Sequence, residues 1–179
     1  PSKAFPIVVF NPFLAPEELL NIIFERLEEE GEIKRWEIAK RSNFERLSEY
    51  LLRIKEGGKE SVLIVDEAQD IPKETLTQIK HLTNIETEKQ KLLHIILFAQ
   101  PFFEKMLSEP THAQINQRIA LRVRLSPLDR PSVENYIKFR LQRAGDSRLL
   151  FDKSALKLIY KASKGVPRLI NIICSRAIM

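Results

Sequence analysis

The chain has 179 residues, 44% apolar and 30% charged, which suits one medium domain or a domain with a small companion and excludes a disordered segment. No apolar run approaches the roughly 18 residues of a membrane span, and the apolar start lacks the flanking features of a signal peptide and reads as a strand. The formal charge of +5 is uneven: from Arg118 to Met179 there are 14 Lys and Arg against 4 Asp and Glu, a net of +10, which leaves −5 before Arg118. Such a basic third suits phosphates, nucleic acid, an acidic neighbour or simply a solvated helical surface. Cys174 has no cysteine to pair with, and His81, His94 and His112 show no metal-site spacing.

In chain order, "FPIVVF" (5–10) predicts a buried strand and "APEELLNIIFERLEEE" (15–30) a helix with Leu19, Leu20, Ile23 and Leu27 on one face. "NFERLSEYLLRI" predicts a second helix, with Phe44, Leu47, Leu51 and Ile54 inward and Gly57 and Gly58 ending it. The strand "SVLIV" (61–65) precedes a helix over roughly 73–82, and the strand "LLHIILFA" leads into the short helix "QPFFEKML". "HAQINQR" is a further helical piece, and "ALRVRL" alternates like a strand, with Leu121, Val123 and Leu125 on one face. Strands separated by helices predict a mostly parallel sheet covered on both faces. Beyond "SPLDRP" only three amphipathic helices remain, "SVENYIKFRLQRAG", "DKSALKLIYKAS" and "PRLINIICSRAI", so the boundary is expected near Leu128.

The stretch "SVLIVDEAQDIP" runs an apolar strand into two adjacent carboxylates. A parallel strand presents its C-terminal end to a ligand crevice. There Asp66 can hold a water of a phosphate-bridging magnesium ion, and Glu67 can polarise an attacking water, the pattern of a Walker B motif. The bland reading is helix capping, for which Asp70 before Ile71 and Pro72 is the better candidate. Gln100, after the next strand, suits orienting that water beside Glu67, or is a turn residue before Pro101. Arg118 carries a forked, permanent charge suited to phosphate, with Arg122 and Arg124 as lesser candidates. In "SKGVPRLIN", Gly165 releases the chain and Pro167 suits a first helical turn. Arg168 then stands at the helix start, with Leu169, Ile172 and Ile173 packing below; the alternative is a surface arginine.

Taken together and in this order, "VLIVDEAQDI", "LLHIILFAQP", "INQRIALRVRLSPL", "YIKFRLQRAG" and "FDKSALKLIYKASKGVPRLINIIC" resemble the AAA+ ATPases of the secretion-pathway protein A (ExeA/GspA) type. The resemblance implies an α/β, P-loop NTPase-like core over residues 1–127 and a small helical lid over 128–179. It implies Asp66 and Glu67 as the Walker B pair, Gln100 at sensor 1, Arg118 as an arginine finger and Arg168 at sensor 2. It further implies ATP and Mg, with Asp66 holding the metal through water, and a homo-oligomer joined through the nucleotide site. A secretion or pilus-assembly partner at the inner membrane and a cytoplasmic location follow from the same resemblance. Related ATPases act on nucleic acid in transposition or replication, which is the alternative function.

One element of that family is missing. No G-x-x-x-x-G-K-[ST] occurs, and Gly31, Gly57, Gly58, Gly145 and Gly165 cannot be arranged into one. In the family this phosphate loop follows the first strand, so the sequence is expected to begin after it. Four strands are then expected: 7–10 beside 62–65, 94–99 beyond, and 121–125 after a gap of two strand spacings, roughly 10 Å. A third reading is a scaffold that has lost the loop.

Overall fold

The computed structural model describes residues 3–29, 42–88, 90–146, 148 and 150–179, which form two compact units, Pro1–Leu121 and Arg122–Met179. In the first, strands β1 (Lys3–Val9), β2 (Lys59–Val65) and β3 (Leu93–Leu97) make a parallel sheet in the order β1-β2-β3. Val8, Ile64 and Ile96 share one row of its register, as do Val9, Val65 and Leu97. Helices α1 (Pro16–Glu29), α2 (Asn43–Glu56) and α3 (Lys73–Leu82) accompany the sheet, followed by the short α4 (Phe102–Leu107) and α5 (Ala113–Asn116). Residue 30, the expected end of the first helix, lies outside the described residues.

The helices bury one stripe each because their apolar residues recur every three or four positions. Leu19, Ile23 and Leu27 of α1, Leu47, Leu51 and Ile54 of α2, and Leu76, Ile79 and Leu82 of α3 join Phe5, Ile7, Val9, Leu63 and Val65 in one core. Each such side chain contributes about 1.5–3 kcal/mol relative to an exposed one. Helix α2 starts with a capping box: the Ser42 hydroxyl accepts the Glu45 N–H at 3.3 Å and the Glu45 carboxylate accepts the Ser42 N–H at 3.1 Å.

Four expectations fail here, each for a physical reason. Among the described residues the sheet is covered on one face only: alternation along β1 and β2 buries Phe5, Ile7, Val9, Ser61, Leu63 and Val65, whereas Val8, Phe10, Ile96 and Phe98 on the other side are exposed. Residues 121–125 form no strand, and Leu121, Val123 and Leu125 are 78%, 73% and 84% exposed. Their alternation sorts side chains between two faces, but a strand also needs a neighbour to take its backbone hydrogen bonds, and no such pairing is formed by the described residues. With no fourth strand among the described residues, the two-spacing gap has no second side. In α2, Phe44 sits in the first turn and is exposed, and Tyr50 is buried instead. Asp70 does not cap α3, which begins after Pro72 without a side-chain cap; its carboxylate accepts the Gln69 amide at 3.2 Å.

The second unit holds α6 (Arg130–Arg143), α7 (Lys153–Ser163) and α8 (Pro167–Ile178) around Val133, Ile137, Ile159 and Ile170. On α8 the inward stripe is Ile170 with Ile173 and Cys174, while Leu169 and Ile172 are exposed, because the helix is rotated about one residue from the expected face. Asp129 caps α6 by accepting the Ser132 N–H at 2.9 Å, and Asp152 caps α7 by accepting the Ala155 N–H at 2.7 Å. No helix among the described residues is long and apolar enough to cross a membrane.

These caps set a pH dependence. The bond to Ser132 holds the Asp129 carboxyl below its ordinary 3.8, and the Ala155 backbone N–H, helped by the Ser154 hydroxyl, does the same for Asp152. A depressed folded value means that the stabilisation is full above 3.8 and is lost as pH falls through the lower folded values. Helicity of this unit, followed by circular dichroism, is therefore expected to fall on acidification below that point. Asp129→Asn with Asp152→Asn, which cap without titrating, should flatten the dependence.

Candidate functional site

The exit of β2 is fixed from both sides. The Asp66 N–H donates to the Val9 carbonyl at 3.0 Å, extending the β1 pairing by one step, and the Ala68 N–H donates to the Phe98 carbonyl at 2.8 Å, extending the pairing with β3. Between these anchors Glu67 takes a left-handed backbone, φ 49° and ψ 42°. A non-glycine residue rarely adopts that conformation, at a cost of about 1–2 kcal/mol. The sharp reversal folds Ala68–Asp70 into a 3₁₀ turn, with the small Ala68 fully buried beneath it. Asp66 and Glu67 are the first polar side chains after the strand, and both stay exposed.

The carboxylates differ in their surroundings. Asp66 Oδ1 accepts the Glu67 N–H at 2.9 Å, which orients the group and leaves Oδ2 open. Glu67 Oε2 accepts from Gln69 Nε2 at 2.7 Å and from Gln100 Nε2 at 3.4 Å. Gln100 lies three residues beyond β3, and its N–H donates to Gln69 Oε1 at 3.0 Å. Neither carboxylate is in an ion pair among the described residues.

Three of the five expected residues, Asp66, Glu67 and Gln100, thus meet at the carboxyl ends of β2 and β3. Arg118 does not join them. It follows α5, is exposed, and its guanidinium reaches Thr83 Oγ1 at 3.4 Å, just past the C-terminal end of α3. Since α3 starts near the β2 exit, that end lies about 15 Å further along the helix axis. Arg168 is exposed in the first turn of α8, in the second unit. Gln69 was not singled out from sequence: nothing local distinguishes a glutamine two residues after Glu67, and its role shows only through a contact 31 positions away.

Magnesium fits this arrangement. It takes one or two carboxylates, keeps several waters and completes its octahedron with phosphate oxygens, so it needs no cage of three protein ligands. No such cage exists among the described residues, and the open Oδ2 of Asp66 supplies a hard oxygen at the strand end.

Comparison with known proteins agrees with the fold. The family described as AAA domain matches residues 2–107, a span that includes Asp66, Glu67 and Gln100 and stops before Arg118. General secretion pathway protein A of Aeromonas hydrophila is 36% identical over 179 residues, covering 100% of this chain and 32% of that protein. The chain therefore spans about a third of the length of this curated relative. The crystal structure of Cdc6p from Pyrobaculum aerophilum superposes with a TM-score of 0.57 over 92% of this chain and 42% of the other, at 15% identity, a likeness of fold alone.

Proposed function

The chain belongs to the AAA domain family, and from that premise we propose that it is an ATP-binding and ATP-hydrolysing module. The observation that carries this reading is the convergence of Asp66, Glu67 and Gln100 at the carboxyl ends of two adjacent parallel strands. In this reading Asp66 Oδ2 holds a magnesium-bound water, Glu67 accepts a proton from the attacking water, and the Gln100 amide orients that water against the terminal phosphate. Magnesium, when bound, supplies charge neutralisation between phosphate oxygens. Arg118, too far along α3 for its own site, acts on the nucleotide of a neighbouring copy in a homo-oligomer, and Arg168 senses the phosphates from the second unit. By analogy with the secretion-pathway relative, the module serves a secretion or pilus-assembly system at the inner membrane from the cytoplasmic side.

The test of both chemistry and assembly is a mixing experiment on protein expressed from its complete reading frame. Arg118→Ala is expected to lose most Mg-dependent ATP turnover, as is Glu67→Gln. Mixed in one assembly, the two should recover part of it, because some interfaces then pair an intact Glu67 with an intact Arg118. No recovery in a proven mixed assembly would remove the trans role of Arg118.

The net charge of +10 beyond residue 117 favours a second reading, a regulator acting on nucleic acid. Duplex DNA affinity in the submicromolar range near physiological salt, together with DNA-stimulated turnover, would select it.

A further inference from the structure

Gln69 is 9% exposed, yet both ends of its amide are engaged. Its Oε1 accepts the Gln100 backbone N–H at 3.0 Å, and its Nε2 donates to Glu67 Oε2 at 2.7 Å and to Asp70 Oδ2 at 3.2 Å. A backbone N–H can only donate, so it fixes which end of the amide is oxygen, and the NH₂ end necessarily faces the two carboxylates. One side chain therefore joins the chain leaving β3 to the carboxylate leaving β2.

The Gln100 side chain donates to the same Glu67 oxygen, at 3.4 Å. With both amides on Oε2, Oε1 is the oxygen of Glu67 that has no protein partner among the described residues. The left-handed backbone at Glu67 gives the side chain its departure direction, and the Gln69 amide then selects which oxygen is held and which is presented.

We propose that Gln69 is a positioning residue: it clamps Glu67 Oε2, leaves Oε1 as the acceptor for the attacking water, and ties that orientation to the peptide of Gln100. The role rests on the ATP-hydrolysing reading above. A shift of the β3 exit would reach the carboxylate through the Gln69 amide as well as through the longer bond from the Gln100 side chain, so the proton acceptor is in register only when the two strand exits are in register. This goes beyond satisfying a buried polar group: Asp70 Oδ2 is also within reach of the Gln69 NH₂ at 3.2 Å, yet the shorter bond, 2.7 Å, goes to Glu67.

Two substitutions separate positioning from tethering. Gln69→Glu keeps an oxygen for the Gln100 N–H but turns the donor facing Glu67 into an acceptor; Gln69→Met removes both arms. In protein expressed from its complete reading frame, Gln69→Glu is expected to keep hydrogen-exchange protection of the Gln100 amide and Mg-ATP affinity within about threefold, while kcat falls about tenfold or more. Gln69→Met should lose the amide protection as well. In a Glu67→Gln background, Gln69→Glu should lower kcat no further, since the carboxylate it positions is gone. Independently of turnover, the Gln69 side-chain NH₂ resonances should shift on Glu67→Ala while the Gln100 amide stays protected.

Wild-type kcat in Gln69→Glu, a full additional loss in the Glu67→Gln background, or NH₂ resonances indifferent to Glu67→Ala would each overturn the positioning role. Failure of the underlying reading looks different: wild-type turnover in Glu67→Gln, or no ATP turnover at all, overturns the ATPase reading and the positioning role with it. Low turnover in Glu67→Gln beside normal turnover in Gln69→Glu overturns the positioning role alone.

Discussion

Glu67→Gln is expected to bind Mg-ATP as the wild-type protein does and to lose turnover by about a hundredfold or more. The geometry makes the outcome more specific than loss of a charge. Two amide NH₂ groups, from Gln69 and Gln100, already point at the position of Oε2. A glutamine placed there turns its own oxygen toward those donors, because the reverse orientation sets NH₂ against NH₂. Its nitrogen then occupies the outward position, where the reaction needs a proton acceptor and finds a donor. Asp66 is unaffected, since its Oδ1 is held by the backbone N–H of residue 67 and not by that side chain. Nucleotide affinity by calorimetry and turnover by phosphate release check the two halves separately. A wild-type rate in this variant would sink the assignment of Glu67.

How much of this site could be read from the sequence follows from how local each signal is. The apolar run of β2, the carboxylates after it and the helix over 73–82 are set by neighbouring residues, and the observed α3 is Lys73–Leu82. The strand order β1-β2-β3 was expected from a family resemblance, not from any pairing signal in the residues themselves. What failed depended on partners. Leu121, Val123 and Leu125 alternate as well as β1 does, yet β1 has β2 beside it, and residues 121–125 have no such strand among the described residues. Covering of the sheet is non-local in the same way: Val8, Ile64 and Ile96 are as apolar as Ile7, Leu63 and Ile95, and only the placement of the helices decides which row is enclosed. Gln69 is the sharpest case, because nothing in its local sequence distinguishes it and its contacts make it a bridge between two strand exits.

Gly165 carries the largest expected effect on stability. Its φ is +79°, in the region that side chains disfavour, and a Cβ built on it would lie 1.9 Å from the Leu128 carbonyl oxygen and 2.9 Å from both the Leu128 carbonyl carbon and nitrogen. The contact is with backbone, so no rotamer change relieves it. The approach is close because the two residues are bonded: the Leu128 N–H donates to the Gly165 carbonyl at 2.9 Å, pinning the segment before α6 to the turn between α7 and α8. Gly165→Ala must therefore break that bond or unwind the turn, and strain plus overpacking together cost about 2–4 kcal/mol. A unit of about 60 residues has little margin to absorb it, so its three helices are expected to melt well below the rest of the chain. Gly145→Ala is the matched control: φ is +85° there as well, but none of the described residues lies within 4 Å of the added carbon. It should cost only the conformational part, about 1 kcal/mol. Calorimetric melting of the two variants beside wild type decides the matter, and equal losses would show that the Leu128 contact is not what demands glycine. The consequence reaches the proposed chemistry, because Arg168 stands three residues beyond Gly165 in the first turn of α8. Gly165→Ala is accordingly expected to weaken any phosphate sensing by Arg168 at temperatures where the first unit remains folded.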